Sequence, residues 1–231
     1  MMKKIALVGG LGPEGTLDYY RGIISGFKAD YNELGYPEMI IESLNLKVML
    51  SFADAGNWGE ISRIIAMKFE ASRLAGADFG AIAANTPHKA FESIQAATSL
   101  PLISIVTATC NAVRERGHSK VGLLGTEFTM QSDFYFQEFA KANIELVVPE
   151  LNEQKYIHEK LFSEIEHGLV KPETKQGFIE IVERVILDNR VQGVISACTE
   201  FPLVIQSTDF SIDFFDTAAI HVASIVDYAK T

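Results

Sequence analysis

One of the chain's two cysteines stands where a buried-strand pattern runs out. Val194-Ile195-Ser196-Ala197-Cys198-Thr199-Glu200-Phe201-Pro202 is an apolar run that opens into a small polar turn. A thiol there can serve as a nucleophile or a proton carrier, and a helix N-terminus next to it would lower its pKa toward the thiolate. The plainer alternative is a buried cysteine acting as a small apolar side chain; the polar neighbours Thr199 and Glu200 argue for chemistry. A second stretch, Phe79-Gly80-Ala81-Ile82-Ala83-Ala84-Asn85-Thr86-Pro87-His88, has the same shape, and in alignment Ala84 falls opposite Cys198. Cys110 instead shares a helical spacing with Val106 and Val113 and reads as core.

These turns need elements to hold them. Lys4 to Gly9 predicts a strand ending in Gly9-Gly10-Leu11-Gly12-Pro13, with a helix that opens near Pro13, carries Leu17, Tyr20, Ile24 and Phe27, and stops near Gly35-Tyr36-Pro37. Met39 to Leu44 predicts a strand, 53–57 a loop, and Ile61, Ile64, Ile65 and Phe69 a helix ending at Gly76. Phe79 to Ala83 follows as a strand, with a short helix from about His88 and a strand from Leu102 to Ile105. The order then repeats: a helix through Cys110, strands at 121–125, 144–148, 191–197 and 212–215, and helices through Phe134 and Phe139, over 153–167, 173–189 and 217–229. Strands alternating with helices predict parallel sheets in an α/β fold. Ile5 and Val121, Tyr20 and Tyr135, and Ala84 and Cys198 are separated by nearly equal intervals. The reading is two similar Rossmann-like domains, each a parallel sheet flanked by helices and related by a pseudo-twofold. Residues 1–104 with 209–231 would make the first domain and 105–208 the second, with the active site between them.

In open α/β sheets ligands bind beyond the carboxyl ends of the strands. Four turns fall there: Gly9–Pro13, Ala84–His88, Thr126–Met130 and Cys198–Pro202. The glycine turn lacks the spacing of a dinucleotide fingerprint and the Lys-Ser/Thr ending of a P-loop. It suits a tight strand-to-helix turn or close backbone approach to a small anion, with Gly12 nearest the helix. Asn85, Thr86, Thr126, Thr129 and Thr199 are short hydrogen-bonding residues, each also at home as a cap or turn residue. Together they suit a small polar substrate. His88 reads as a helix-start or supporting residue, His221 as a packing residue, and Lys171, next to Pro172, as a loop residue.

The chain has 231 residues, 48% of them hydrophobic, and a formal net charge of −10. A nucleic-acid partner would need clustered Lys and Arg, so none is expected. No apolar run reaches the roughly 20 residues that span a bilayer, so no membrane association is expected. Met1-Met2-Lys3-Lys4-Ile5 leads straight into a strand pattern without the apolar core of a signal peptide. The expectation is a cytoplasmic protein. Neither a disulfide framework nor a metal site is suggested by the cysteine and histidine spacing.

Taken together, five motifs in order carry a resemblance. They are Gly9-Gly10-Leu11-Gly12-Pro13, Asn85-Thr86-Pro87-His88, Leu124-Gly125-Thr126 with Thr129-Met130, Cys198-Thr199-Glu200, and Asp216-Thr217-Ala218-Ala219-Ile220-His221. Over nearly its whole length the chain resembles the cofactor-independent aspartate/glutamate racemases. The resemblance implies an amino-acid racemase (an isomerase) without pyridoxal phosphate or metal, acting on an acidic amino acid and commonly a homodimer. It implies one cysteine on each side of the substrate α-carbon, with Cys198 as the second. It implies substrate contacts at Gly12, Asn85, Thr86, Thr126, Thr129, Thr199 and Glu200, and Lys171 on the distal carboxylate. The departure is Ala84, where such enzymes carry Cys or Thr: one catalytic group is missing, and impaired or one-sided activity is implied. Both a deliberate replacement and a natural divergence are open, as is a non-catalytic protein that binds an acidic amino acid. A hydrolase using Cys198 would need a paired base.

Overall fold

The computed structural model describes residues 2–28 and 35–231, apart from the Pro13 side chain. The expected end of the first helix near Gly35 therefore falls partly outside the described residues. The chain divides into two compact units, Met1–Ala108 with Ala218–Thr231 and Thr109–Thr217.

The first unit is built on a parallel sheet of β1 (Ile5–Gly9), β2 (Met39–Ser43), β3 (Phe79–Ile82) and β4 (Leu102–Ile103), in the order β2-β1-β3-β4. The central strands β1 and β3 are buried along their whole length, and the edge strands β2 and β4 are only partly covered. Alternate residues of β1 feed opposite faces, as the two-residue period of a strand requires. Ile5 and Leu7 join Tyr19, Ile23 and Phe27 of α1 (Pro13–Lys28) and Ile225, Val226 and Ala229 of the last helix. Ala6 and Val8 join Met49 of α2 (Leu46–Asp54), Ile61, Ile65 and Phe69 of α3 (Trp58–Leu74), and Ile94 of α4 (Phe91–Ala96). Full burial of one such side chain is worth about 1.5–3 kcal/mol, so both faces are held by apolar packing.

The second unit repeats the plan. β5 (Lys120–Gly125), β6 (Glu145–Val147), β7 (Gly193–Ala197) and β8 (Asp213–Asp216) form a parallel sheet in the order β6-β5-β7-β8. Its helices are α5 (Ile105–Glu115), which begins in the first unit, α6 (Glu127–Gln131), α7 (Asp133–Lys141), α8 (Leu151–Ser163) and α9 (Pro172–Asn189). Leu124, Val194 and Cys198 share one core cluster with Met130 of α6, Ile157 and Leu161 of α8, and Phe178 and Val182 of α9. The final helix, α10 (Thr217–Lys230), returns to the first unit.

Several local expectations are corrected. The last strand does not complete the first sheet: β8 pairs with β7, Val194 opposite Phe214 and Ile195 opposite Phe215, so only α10 returns. Helix α1 turns Thr16, Tyr19, Ile23 and Phe27 inward, while Leu17 and Tyr20 are each 47% exposed. The repeat therefore pairs Tyr19 with Tyr135, both fully buried and 116 positions apart, the same interval as Ile5 to Val121. Helix α2 was not anticipated; Asn45 caps it by accepting from the Val48 N–H. Ile105 is not the end of β4 but the first residue of α5.

Candidate active site

Each sheet order fixes where a ligand can sit. From β1 the chain passes to β2 on one side and then to β3 on the other; β5, β6 and β7 do the same. The reversal leaves a crevice at the carboxyl ends of the two central strands, the usual ligand position in open α/β sheets. The four turns singled out in the sequence follow β1, β3, β5 and β7.

In the first unit, Gly10 has φ 75° and Gly12 φ 128°, left-handed backbone that favours glycine. The Gly10 N–H donates to Thr16 Oγ1 at 2.9 Å, and the Thr16 hydroxyl donates to the Gly12 carbonyl at 3.1 Å. A Cβ on Gly10 would run into the Leu44 backbone. The glycines thus let the turn pack against the end of β2. Gly12 is buried.

After β3, Ala84 and Asn85 are buried, and the short helix expected from about His88 is a 3-10 turn, Thr86–Ala90, that runs into α4. His88 braces this turn. Its Nδ1 bonds the Ala84 carbonyl at 2.9 Å, and its Nε2 accepts the Ile105 N–H at 3.2 Å, which assigns the neutral tautomer protonated on Nδ1. Burial, with His221 adding to it, pushes its pKa down to about 3. His221 packs as expected: its Nε2–H donates to the Ile103 carbonyl at 2.9 Å and its Nδ1 accepts from Tyr19 Oη at 2.8 Å. Burial takes its pKa down to about 4.

In the second unit, Thr126 is the N-cap of α6. Its Oγ1 accepts from the Thr129 N–H at 3.2 Å and shares a hydrogen bond with the Thr129 hydroxyl at 3.1 Å. At the end of β7 the Cys198 thiol, 7% exposed, donates to Glu200 Oε2 at 3.1 Å. The Thr199 hydroxyl donates to the same oxygen at 2.7 Å. Glu200 is 6% exposed and its other oxygen, Oε1, is buried without a hydrogen-bond partner. The expected thiolate is not favoured. Burial first, then the Glu200 charge, pushes the Cys198 thiol well above its ordinary range. The turn leads only into the three-residue 3-10 segment Phe201–Leu203, so no α-helix N-terminus offsets this.

Glu166 went unnoticed in the sequence. It lies in the 3-10 turn Ile165–His167, and Ile165 belongs to the same core cluster as Cys198 and Phe201. Burial and the nearby Glu200 charge raise its carboxyl to about 7. A glutamate in the last turn of the helix expected over 153–167 looks solvated in sequence, and only the fold brings its charge within reach of Cys198. Lys171, with Lys160 and Thr174, holds Glu164, at 3.1 Å for its own ammonium. Among the described residues no hydrogen bond or ion pair joins Lys171 to Cys198, Thr199 or Glu200. Cys110 is buried on α5, as its spacing suggested. Among the described residues no three His, Cys, Asp or Glu side chains gather as metal ligands, and no helix is long and apolar enough to cross a membrane.

The arrangement is a thiol paired with a carboxylate at one switch point and a buried, histidine-braced alanine turn at the other. Comparison with known proteins agrees with a racemase. A relative from Bacillus subtilis (strain 168), the broad specificity amino-acid racemase RacX, is 29% identical over 231 residues, covering 96% of each chain. The crystal structure of an aspartate racemase homologue from Pyrococcus horikoshii OT3 is 36% identical with a TM-score of 0.88, and both chains are covered completely. The Picrophilus torridus aspartate racemase, at 22% identity and a TM-score of 0.77 over 99% of this chain and 94% of its own, shares the fold. The family model described as Asp/Glu/Hydantoin racemase matches residues 8–225, and the chain belongs to that family.

Proposed function

We propose that the chain moves the α-proton of a free amino acid through Cys198, in a reaction that needs neither pyridoxal phosphate nor metal. The observation that supports this best is the Cys198 thiol at the end of β7, hydrogen-bonded to Glu200. In the reacting state Glu200 takes the thiol proton and the thiolate takes the proton from Cα. The electron pair of the broken C–H bond passes into the α-carboxylate, and reprotonation from sulfur returns a proton to the same face. Hydroxyls of Thr126, Thr129 and Thr199 and the polar groups of Asn85 and Thr86 are assigned to substrate binding, as is the Gly12 turn.

Inversion needs a second proton carrier on the opposite face. Ala84, which follows β3 as Cys198 follows β7, has no transferable proton, so the chain is proposed to exchange one enantiomer and to invert slowly. Aspartate and glutamate, the substrates implied by the resemblance, are the reference pair for the assay. Chiral chromatography of both enantiomers, with and without Cys198→Ser, tests the reading; racemisation unchanged by that substitution would remove it. The second reading, a non-catalytic protein binding an acidic amino acid, is favoured by Ala84 alone. It predicts saturable binding with no α-proton exchange. A cytoplasmic homodimer belongs to the same proposal, and sedimentation at the mass of a single chain would contradict the dimer.

A further inference from the structure

Two buried imidazoles stand behind the turn after β3, and every ring nitrogen of the pair is taken. His88 is 3% exposed and His221 is fully buried. The His88 Nδ1–H donates to the Ala84 carbonyl at 2.9 Å, and Nε2 accepts the N–H of Ile105, the first residue of α5, at 3.2 Å. The Nε2–H of His221, on α10, donates to the carbonyl of Ile103 at the end of β4 at 2.9 Å, and its Nδ1 accepts from Tyr19 Oη of α1 at 2.8 Å. The ring planes are set as well. Phe91 stacks on His88 with centroids 5.1 Å apart, and His221 meets His88 edge-on at 6.1 Å. The chain leaves the first unit along α5 and re-enters it along α10, so the turn is tied to both connections.

We propose that His88 is a positioning residue: it fixes the peptide plane between Ala84 and Asn85 and so presents the turn after β3 to the substrate in one orientation. Its effect on turnover rests on the racemase reading; its effect on the turn does not. A peptide unit is planar and trans, so a bond to the Ala84 carbonyl also fixes the direction of the Asn85 N–H. The Ala84 Cβ and the Asn85 side chain are carried on either side of that plane. An imidazole suits this task because it offers a donor and an acceptor at fixed places on one rigid ring. His88 does not replace the acid missing at Ala84. Both its nitrogens are committed, and burial holds the ring neutral, with a pKa of about 3. An apolar side chain at this position would take a partner from a buried carbonyl and a buried N–H, which is costly. A fully paired buried network specifies one arrangement over its neighbours.

Two half-replacements test this. His88→Asn keeps a donor at the Nδ1 place and gives up the bond to Ile105; His88→Gln keeps an acceptor at the Nε2 place and gives up the bond to Ala84. Each loses one hydrogen bond, so their urea midpoints should fall alike. Their turnover should not. In α-proton exchange of aspartate and glutamate, kcat is expected to fall about 10²-fold with His88→Gln and less than about threefold with His88→Asn, because misplacing a group near the reacting atoms costs on that order. The same two substitutions combined with Ala84→Cys are read by iodoacetamide labelling at position 84, which needs no turnover; only His88→Gln should change the rate. Long-range nitrogen–proton correlation NMR on the unaltered chain should show His88 protonated on Nδ1 alone and His221 on Nε2 alone. Equal loss of turnover in the two variants, or equal labelling rates, makes His88 a packing residue and overturns the proposal, as does a His88 protonated on Nε2. If neither variant folds, the tautomer decides. No exchange by the unaltered chain, with labelling that still separates the variants, removes the racemase reading and leaves the positioning role standing. Full exchange by both variants does the reverse.

Discussion

In the proposed reaction Cys198 carries the proton, and its surroundings hold it as a thiol. Burial and the Glu200 carboxylate both disfavour the thiolate, so its acidity must be supplied at the moment of reaction rather than stored in the resting state. Glu200→Gln removes the negative charge and should shift iodoacetamide labelling of Cys198 to lower pH, read by mass spectrometry, while slowing α-proton exchange. A labelling profile that does not move would separate the thiol from Glu200. Ala84→Cys should bring back inversion in both directions, by about 10²–10⁴ in rate, the usual contribution of a positioned acid or base. Ala84→Ser should do much less, because a hydroxyl is a far weaker acid than a thiol. Chiral chromatography decides between these outcomes.

Among the elements, the turn after β1 depends most on a single residue type. Gly10 combines φ 75° with a Cβ position closed by the Leu44 backbone. Gly10→Ala should cost about 2–4 kcal/mol, left-handed strain plus overpacking, seen as a lower urea midpoint at unchanged slope; a loss below about 0.5 kcal/mol would mean the turn can move. At this scale the sequence was informative where one signal dominated. The strand runs ending in Gly9–Pro13, Ala84–His88, Thr126–Met130 and Cys198–Pro202 were legible because central strands are apolar throughout. The inward face of α1 was misread because Leu17 and Tyr20 mimic a core stripe while Gly22 and Gly26 hide a close contact. A Cβ on either would press on Val222 or Val226 of α10. The pairing of β8 with β7 and the approach of Glu166 to Cys198 are tertiary facts that no local pattern records.

For the molecule as a whole, the response to acid between pH 7 and the ordinary carboxylate range has one sign for His88 and His221 of the first unit and the other for Glu166 of the second. His88 and His221 of the first unit are neutral in the fold, with pKa values of about 3 and about 4. An unfolded imidazole titrates near about 6.5. As pH falls below that value, the unfolded chain binds protons that the fold refuses. Stability is lost by up to about 1.4 kcal/mol per pH unit for each histidine. Glu166 of the second unit, raised to about 7, has the opposite sign: the fold binds its proton first, so it gains stability as pH falls from 7 toward the ordinary carboxylate range. Glu70 and Glu164, held down to about 2 by their hydrogen bonds, add a loss only below that range. The single tryptophan, Trp58, lies in the first unit. Urea midpoints followed by its fluorescence should therefore fall between pH 6.5 and 4.5, less steeply in His221→Gln. A midpoint that stays level would mean the two imidazoles are not held neutral.

The central claim is that Cys198 carries the α-proton, and proton NMR in deuterated buffer tests it most directly. Both enantiomers of aspartate and of glutamate are incubated with the unaltered chain and with Cys198→Ala. The account predicts deuterium entering the α-position of one enantiomer with its configuration kept, and no such label with Cys198→Ala. Equal exchange in the two proteins, or fast and symmetric racemisation by the Ala84 chain, would contradict it.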